Sequence, residues 1–572
     1  MANNFPNLLP SLNLDLVNGI YVDPRITFTR AGTRTYYGRD VVKAEENLLI
    51  HSADLTQTAY FKSGVTASSA TQITATATTA FHIVHYNTSV GGLLPGSGTV
   101  TQTLRISAGT YNFIQIFIAN GTTEIANINL TNGTIGTNTL GVTATDLGSG
   151  VYDIKCTYTT TGTNRVLGVA LVTSTTAARL ESWTALGTET VNILFQQYEQ
   201  RSSATAYTAT TTQPITRYQR QLKTAAANEW PREFDPVTGE CLGRSVWESR
   251  TNLLLYSEEF DNAYWTKSNV TISTNQIIAP DGTLTADKLV EDATSNQHRV
   301  LRAIDGSTKN VSIYAKAAER SYIGLFAAVG TRTYFNLSAG TIGTVSSGST
   351  ATIESVGNGW YRCSLYNAHP TNGGLFQLST DGTTETYTGD GYSGIYIWGA
   401  QLEAGAFATP YIPTVAAQVT RLADSAVMTG TNFSSWFNPS EGTFVVNSTG
   451  LDTSFTVAVQ VDDGTTSNRI GMIIPRASSA SPAFIFTSGA AQTAFSNVTF
   501  VGDDKEALSY AANNVLLSVN GAAVQTDTTV VLPVVDRLRI RNNSAAPSSG
   551  YIKRITYYPQ ALTAANLQAV TR

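Results

Sequence analysis

At 572 residues and a formal net charge of −5, the chain is long enough for several domains that each bury a core of their own. Charged residues make up 13% of it, about half the globular average, and form no long runs, which excludes a surface that tracks a phosphate backbone and so excludes nucleic-acid binding. No apolar run reaches the length of a membrane-spanning helix, and Met1-Ala2-Asn3-Asn4-Phe5-Pro6 lacks the basic and apolar regions of a signal peptide. Synthesis in a cytoplasm, followed by assembly or lysis, is expected.

In chain order, residues 1–46 come first. Leu12, Leu14 and Leu16 alternate there with Asn13, Asp15 and Val17, the pattern of a strand that needs a partner sheet. Too short for a core of its own, this segment is expected to anchor the chain to another protein or to exchange strands with neighbouring subunits.

Two copies of one block follow, at 47–217 and 252–421, separated by a polar, turn-rich connector at 218–251. Asn47-Leu48-Leu49-Ile50-His51-Ser52 answers to Asn252-Leu253-Leu254-Leu255-Tyr256-Ser257. Gly148, Gly150 and Tyr152 answer to Gly357, Gly359 and Tyr361, while Gln197, Glu199, Tyr207 and Arg217 answer to Gln401, Glu403, Tyr411 and Arg421. Cys156 and Cys363 read as the same core site filled twice. With Cys241 they are too scattered for a disulfide framework.

Short alternating stretches, such as Val311, Ile313 and Ala315 between Ser312, Tyr314 and Lys316, read as half-buried strands. Turn pairs such as Asn132-Gly133, Asp281-Gly282 and Asn520-Gly521 punctuate them as hairpins. The fold class expected is all-β: tandem antiparallel β-sandwich domains, jelly-roll-like, with one short C-terminal helix capped by Thr563. Residues 422–572 form a third unit unrelated to the repeat.

Several phrases then recur in order. Phe28-Thr29-Arg30-Ala31-Gly32-Thr33, Leu222-Lys223-Thr224-Ala225-Ala226-Ala227-Asn228, Phe234-Asp235-Pro236-Val237-Thr238-Gly239-Glu240 and Glu248-Ser249-Arg250-Thr251-Asn252-Leu253-Leu254 resemble the opening segment of tailed-phage head spike, head fibre and tail fibre structural proteins. Glu258-Glu259-Phe260-Asp261-Asn262-Ala263-Tyr264-Trp265 and Trp398-Gly399-Ala400-Gln401-Leu402-Glu403 resemble the carbohydrate-binding-module-like sandwich of that family. Gly550-Tyr551-Ile552-Lys553-Arg554-Ile555 resembles the closing strand of a concanavalin-like, laminin-G-like jelly roll. In the family pattern the Phe-Thr-Arg-Ala phrase runs into the Lys-Thr-Ala-Ala-Ala-Asn phrase within a few tens of residues. Here the whole first copy lies between them, as an inserted or duplicated sandwich.

The resemblance implies a virion appendage without enzymatic activity. It would be homotrimeric, joined to other virion structural proteins through its N-terminal segment, and would attach to host-surface glycan by repeated weak contacts. A glycan-degrading enzyme with accessory binding modules is a second reading, and a purely structural capsid decoration a third.

Candidate site residues are few. His82 and His85, three apart in a strand, point to opposite faces and make a poor chelating pair, while His51, His298 and His369 have no partner at catalytic spacing, which disfavours a histidine-based hydrolase. Asp281 with Asp287, and Asp462 with Asp463, offer loop oxygens to a structural calcium, although such pairs are more often solvated turns. No other cofactor is implied. Trp265, Trp360 and Trp398 read as core, whereas Trp247 and Trp436 lie beside turns and are candidates for a sugar platform. Arg537, Arg539 and Arg541 alternate with Leu538 and Ile540. They are expected to form a basic stripe, either guarding an edge or meeting an acidic polysaccharide or a neighbouring subunit.

Overall fold

The computed structural model describes residues 9–92, 94–160, 165–302, 309–326, 332–368, 376–450, 457–473, 482–493, 495, 503–541 and 549–572; His369 lies outside them. Antiparallel strands dominate. Among the described residues, α-helix is confined to the single turns Thr88–Gly91 and Thr431–Ser434 and to Ala564–Val570, where the Thr563 side chain accepts from the Asn566 amide. The chain divides into two compact units, one of residues 42–219 with 276–278 and the other of the remainder. The strand Arg34–Asn47 leads into the first of these, Ile215–Ala225 leads back, and the two pair with each other.

Both copies are sandwiches of two six-stranded sheets with the same strand order. One sheet of the first copy runs Thr134–Asn138, Ile125–Asn129, Phe113–Ile118, Leu167–Leu171, His82–Tyr86, Tyr60–Ser63. Its counterpart runs Thr341–Ile342, Arg332–Asn336, Tyr322–Phe326, Phe376–Ser379, Arg299–Leu301, Thr266–Ser268. The facing sheets are Thr143–Asp146, Val151–Thr160, Gly98–Ala108, Thr190–Glu199, Gln72–Ala75, Val65–Ala67 and Thr350–Gly357, Trp360–Ala368, Lys309–Ala317, Gly394–Glu403, Ala286–Glu291, Val270–Ile277. Each sandwich encloses its own apolar cluster.

Gly133 and Gly340, at φ of 70° and 65°, leave room for the rings of Tyr152 and Tyr361, which fixes these tyrosines as equivalents. Counting from them, Ile154 matches Cys363, and the register agrees: Ile154 faces Leu104 across the ladder, and Cys363 faces Ile313. Cys156 faces Gln102 instead. The two cysteines therefore share a core face but sit one pleat apart, which corrects the reading of a single site filled twice. A further difference concerns Lys309–Ala317, which is buried on both faces, because Trp398 and Tyr411 pack over Tyr314.

The repeated phrases encode a polar latch. Asn47 Nδ2 donates to the carbonyls of Gln196 and Thr208 at 3.2 and 2.9 Å, and its Oδ1 accepts from the amides of Leu49 and Tyr198. Asn252 does the same with Ala400, Ile412, Leu254 and Leu402. Gln197 and Gln401 each accept from the amide eleven residues on, at 2.6 Å. Ser52 and Ser257 place their hydroxyls 2.6 Å from Tyr207 and Tyr411. The Asn and Gln side chains are buried, and each of their bonds satisfies backbone that would otherwise be stranded. The latch ties the first strand of each copy to its last.

The third sandwich is assembled from distant pieces. Leu12–Asp15 and Cys241–Val246 lie end to end along one side of Gly550–Tyr558, with Glu441–Gly450 on the other. Thr27–Thr29 joins the facing sheet beside Ser425–Thr429. Leu12, Leu14, Leu16, Trp230 and Val246 all belong to its core. The alternating leucines thus find their partner sheet within the chain, not on another protein, and the 218–251 stretch supplies strands where a plain connector was expected. A strand of four residues carries no mark of which sheet edge it joins.

Leu14→Ala is expected to destabilise the third sandwich by about 2–5 kcal/mol, as a cavity-forming core substitution. Chemical denaturation monitored by tryptophan fluorescence measures this; an unchanged midpoint would mean that the segment is dispensable for folding.

Candidate functional site

The residues singled out in the sequence do not converge. Asp287 is buried, with both carboxylate oxygens accepting backbone amides, from Asn275 at 3.0 Å and Phe260 at 3.2 Å. Asp281 and Asp463 cap the turns to Thr283 and Thr465. Asp462 pairs with Arg539 at 2.9 Å and lies 3.7 Å from Arg537. Among the described residues no group of three or more His, Cys, Asp or Glu gathers as a metal site.

The basic stripe also dissolves. Arg537 and Arg539 are held by Asp462 and Asp536, while Arg541 lies beyond the strand end at φ 51° and is 0% exposed. Its guanidinium donates to the carbonyls of Thr449, Ser549 and Tyr551. The strand Arg537–Ile540 stops before it, so the alternation that placed three arginines on one face fails at the third. Trp436 is core, with Nε1 bonded to the Asn432 carbonyl. Trp247 is nearly buried and donates from Nε1 to Ser245 Oγ at 2.7 Å, so neither indole is an open sugar platform. His82 is likewise a core group, both ring nitrogens bonded to the carbonyls of Gly64 and Trp183, and His298 repeats that arrangement with Asn269 and Tyr387.

The phrases of the opening segment meet in a buried ion cluster. Arg30, 1% exposed, bonds Asp424 at 3.3 Å through Nη1 and the Ala226 carbonyl at 2.7 Å through Nη2, while its amide donates to Asn228 Oδ1 and its carbonyl accepts from the Asn228 amide. Arg34, 2% exposed, pairs with Glu233 at 2.9 Å and Asp424 at 3.8 Å. Arg421 adds a third cation, its ionisation pushed down to about 10 by burial. Glu229 and Glu403 add further negative charge beside Arg30 and Arg421, so the three guanidiniums do not lack counter-charge.

Beside this cluster, Glu233 and Trp247 form part of the wall of a cavity of about 430 Å³, which also opens onto the outward face of the second sandwich. Its floor carries Asn310, Tyr314 and Ser364 from neighbouring strands, with Arg362 over the Tyr314 ring at 5.4 Å. Tyr37, Phe234 and Tyr551 close it from above, and Glu354 stands at the exposed rim. None of the floor residues stood out in the sequence. A signal was there in the comparison of copies: with Tyr152 and Tyr361 equivalent, Arg105 and Asp153 occupy the places of Tyr314 and Arg362. Tyr411 links the floor to Glu258, whose carboxyl accepts its hydroxyl at 2.9 Å and is raised to about 7 by burial. No protein-family model matches the chain, and no curated protein does.

Asp424→Asn leaves Arg30 and Arg34 buried without their shared counter-charge and is expected to cost about 3–5 kcal/mol, measured by denaturant unfolding; a double variant that removes Arg30 as well should recover part of the loss. Because the folded state favours protonated Glu258, its contribution to stability is complete below the ordinary carboxyl range and is lost as pH rises to 7. Asp287, raised to about 6 by burial, acts in the same direction. Thermal melts between pH 4 and 8 should therefore show a decline that Glu258→Gln flattens.

Proposed function

We propose that the chain is a structural, non-enzymatic appendage of a tailed-phage virion, a homotrimeric fibre or spike that contributes to host attachment through repeated weak contacts with surface glycan. The observation that carries this reading is the duplication itself: two sandwiches with the same strand order and the same latch, whose outward faces have diverged. Duplicated rigid modules on one chain, and threefold repetition in a trimer, turn later contacts into intramolecular ones and raise avidity without tighter individual sites. A surface poor in charge suits a protein held in an assembly. With Leu12, Leu14 and Leu16 committed to the core, attachment to the virion falls to the exposed Leu9, Ile20 and Tyr21 that flank them.

Light scattering coupled to size-exclusion chromatography should return three times the chain mass, and gold-labelled antibody should decorate purified virions in electron micrographs. A strict monomer that is absent from virions would overturn the reading.

A further inference from the structure

We infer that the cavity on the outward face of the second sandwich is a binding site for a small hydroxylated carboxylate, of the sugar-acid class, with Arg362 as its anion-recognising group. The duplicated module supplies an internal control. In the first copy the equivalent positions are closed upon themselves, Arg105 pairing with Asp153 through two bonds of 2.7 and 2.9 Å. In the second copy the carboxylate's place is taken by Arg362 and the arginine's place by Tyr314. Arg362 makes no ion pair within 4 Å among the described residues. Its Nη2 donates to Ser312 Oγ at 3.2 Å, and its Nε has no hydrogen-bond partner. A guanidinium stacked on a tyrosine and facing a cavity presents a planar donor fork, which fits a carboxylate.

Other features of the cavity narrow the ligand. Asn310 is 2% exposed, yet its Oδ1 has no hydrogen-bond partner among the described residues. A buried amide oxygen in that state is costly unless a ligand hydroxyl or amide donates to it. Ser364 shares its hydroxyl with Thr352 at 3.1 Å, so the floor offers further polar edges beside the Tyr37 ring. Aromatic faces beside polar groups receive a ring with one apolar side and a hydroxylated rim. At about 430 Å³ the volume lies in the lower part of the ~300–1,000 Å³ range of small-ligand sites.

Charge selects further. Arg362 favours an anion, while Glu354, its cross-strand neighbour at the rim, and Glu403 disfavour a doubly charged one, so a carboxylate is preferred over phosphate. Glu233 is already engaged by Arg34, and Asp235 accepts the amides of Val237 and Thr238, so neither competes for Arg362. The supply of such a ligand by a host-surface glycan follows from the appendage reading, whereas its chemistry follows from the cavity alone.

The test is isothermal titration of the full chain with D-glucuronate, D-glucose, inorganic phosphate and a glucuronate-containing tetrasaccharide. Saturable glucuronate binding is expected, at least tenfold tighter than glucose or phosphate. Arg362→Gln should abolish that preference, and Asn310→Asp, which sets a carboxylate against the ligand, should weaken glucuronate at least tenfold, both with melting transitions retained. Tighter tetrasaccharide than monosaccharide would identify a polymer-borne unit; the reverse would identify the free acid, and either supports the site. No glucuronate binding, equal binding of glucose or phosphate, or full binding by a folded Arg362→Gln variant overturns it. Binding by a protein absent from virions would retain the site and sink only the appendage reading.

Discussion

The ion cluster of Arg30, Arg34, Glu233, Arg421 and Asp424 is the constraint on which the third sandwich and its surroundings depend. Its members come from chain segments separated by about two hundred residues each, and each is nearly inaccessible to water. Taking such charges out of water costs several kcal/mol apiece unless partners are in place, so no segment can dock alone without stranding a charge. Asp424 also accepts the Trp247 amide, and Ser245 receives the Trp247 indole, so the same point fixes the strand Cys241–Val246. The apolar packing of Leu12, Leu14 and Trp230 then supplies the favourable burial, while the ions decide which arrangement is allowed.

The duplicated latch works on the same principle at smaller scale. Asparagine has the two donors and two acceptor sites needed to bridge strand ends, and in each copy one such residue meets two carbonyls and two amides. That demand explains why the phrases around Asn47 and Asn252 stayed alike. The outward faces carry no such demand. There, Arg105 with Asp153 in the first copy stand where Tyr314 with Arg362 stand in the second, a self-satisfied ion pair in one and a cation facing a cavity in the other.

Much of the fold was legible in the sequence because its signals are local. Period-two alternation marked strands such as Lys309–Ala317, turn pairs with left-handed glycines marked hairpins, and Thr563 marked the helix Ala564–Val570, the one longer than a turn among the described residues. The candidate site was scarcely legible. Arg362 and Asn310 look like ordinary outward residues of a strand, and only the packing of Tyr37, Phe234 and Tyr551 above them makes a cavity. Arg541 shows the opposite failure, because a single left-handed residue turned an alternating stripe into a buried anchor.

The sequence by itself determined the all-β class and the presence of two like copies, since backbone hydrogen bonding and side-chain periodicity act between near neighbours. Tertiary structure alone decided that the N-terminal strand and the stretch around Trp230 belong to the C-terminal sandwich, and which polar groups would be left facing a cavity. Sheet edges are chemically alike, and the partner of a short strand is chosen by burial and charge compensation across hundreds of residues, which no local pattern records.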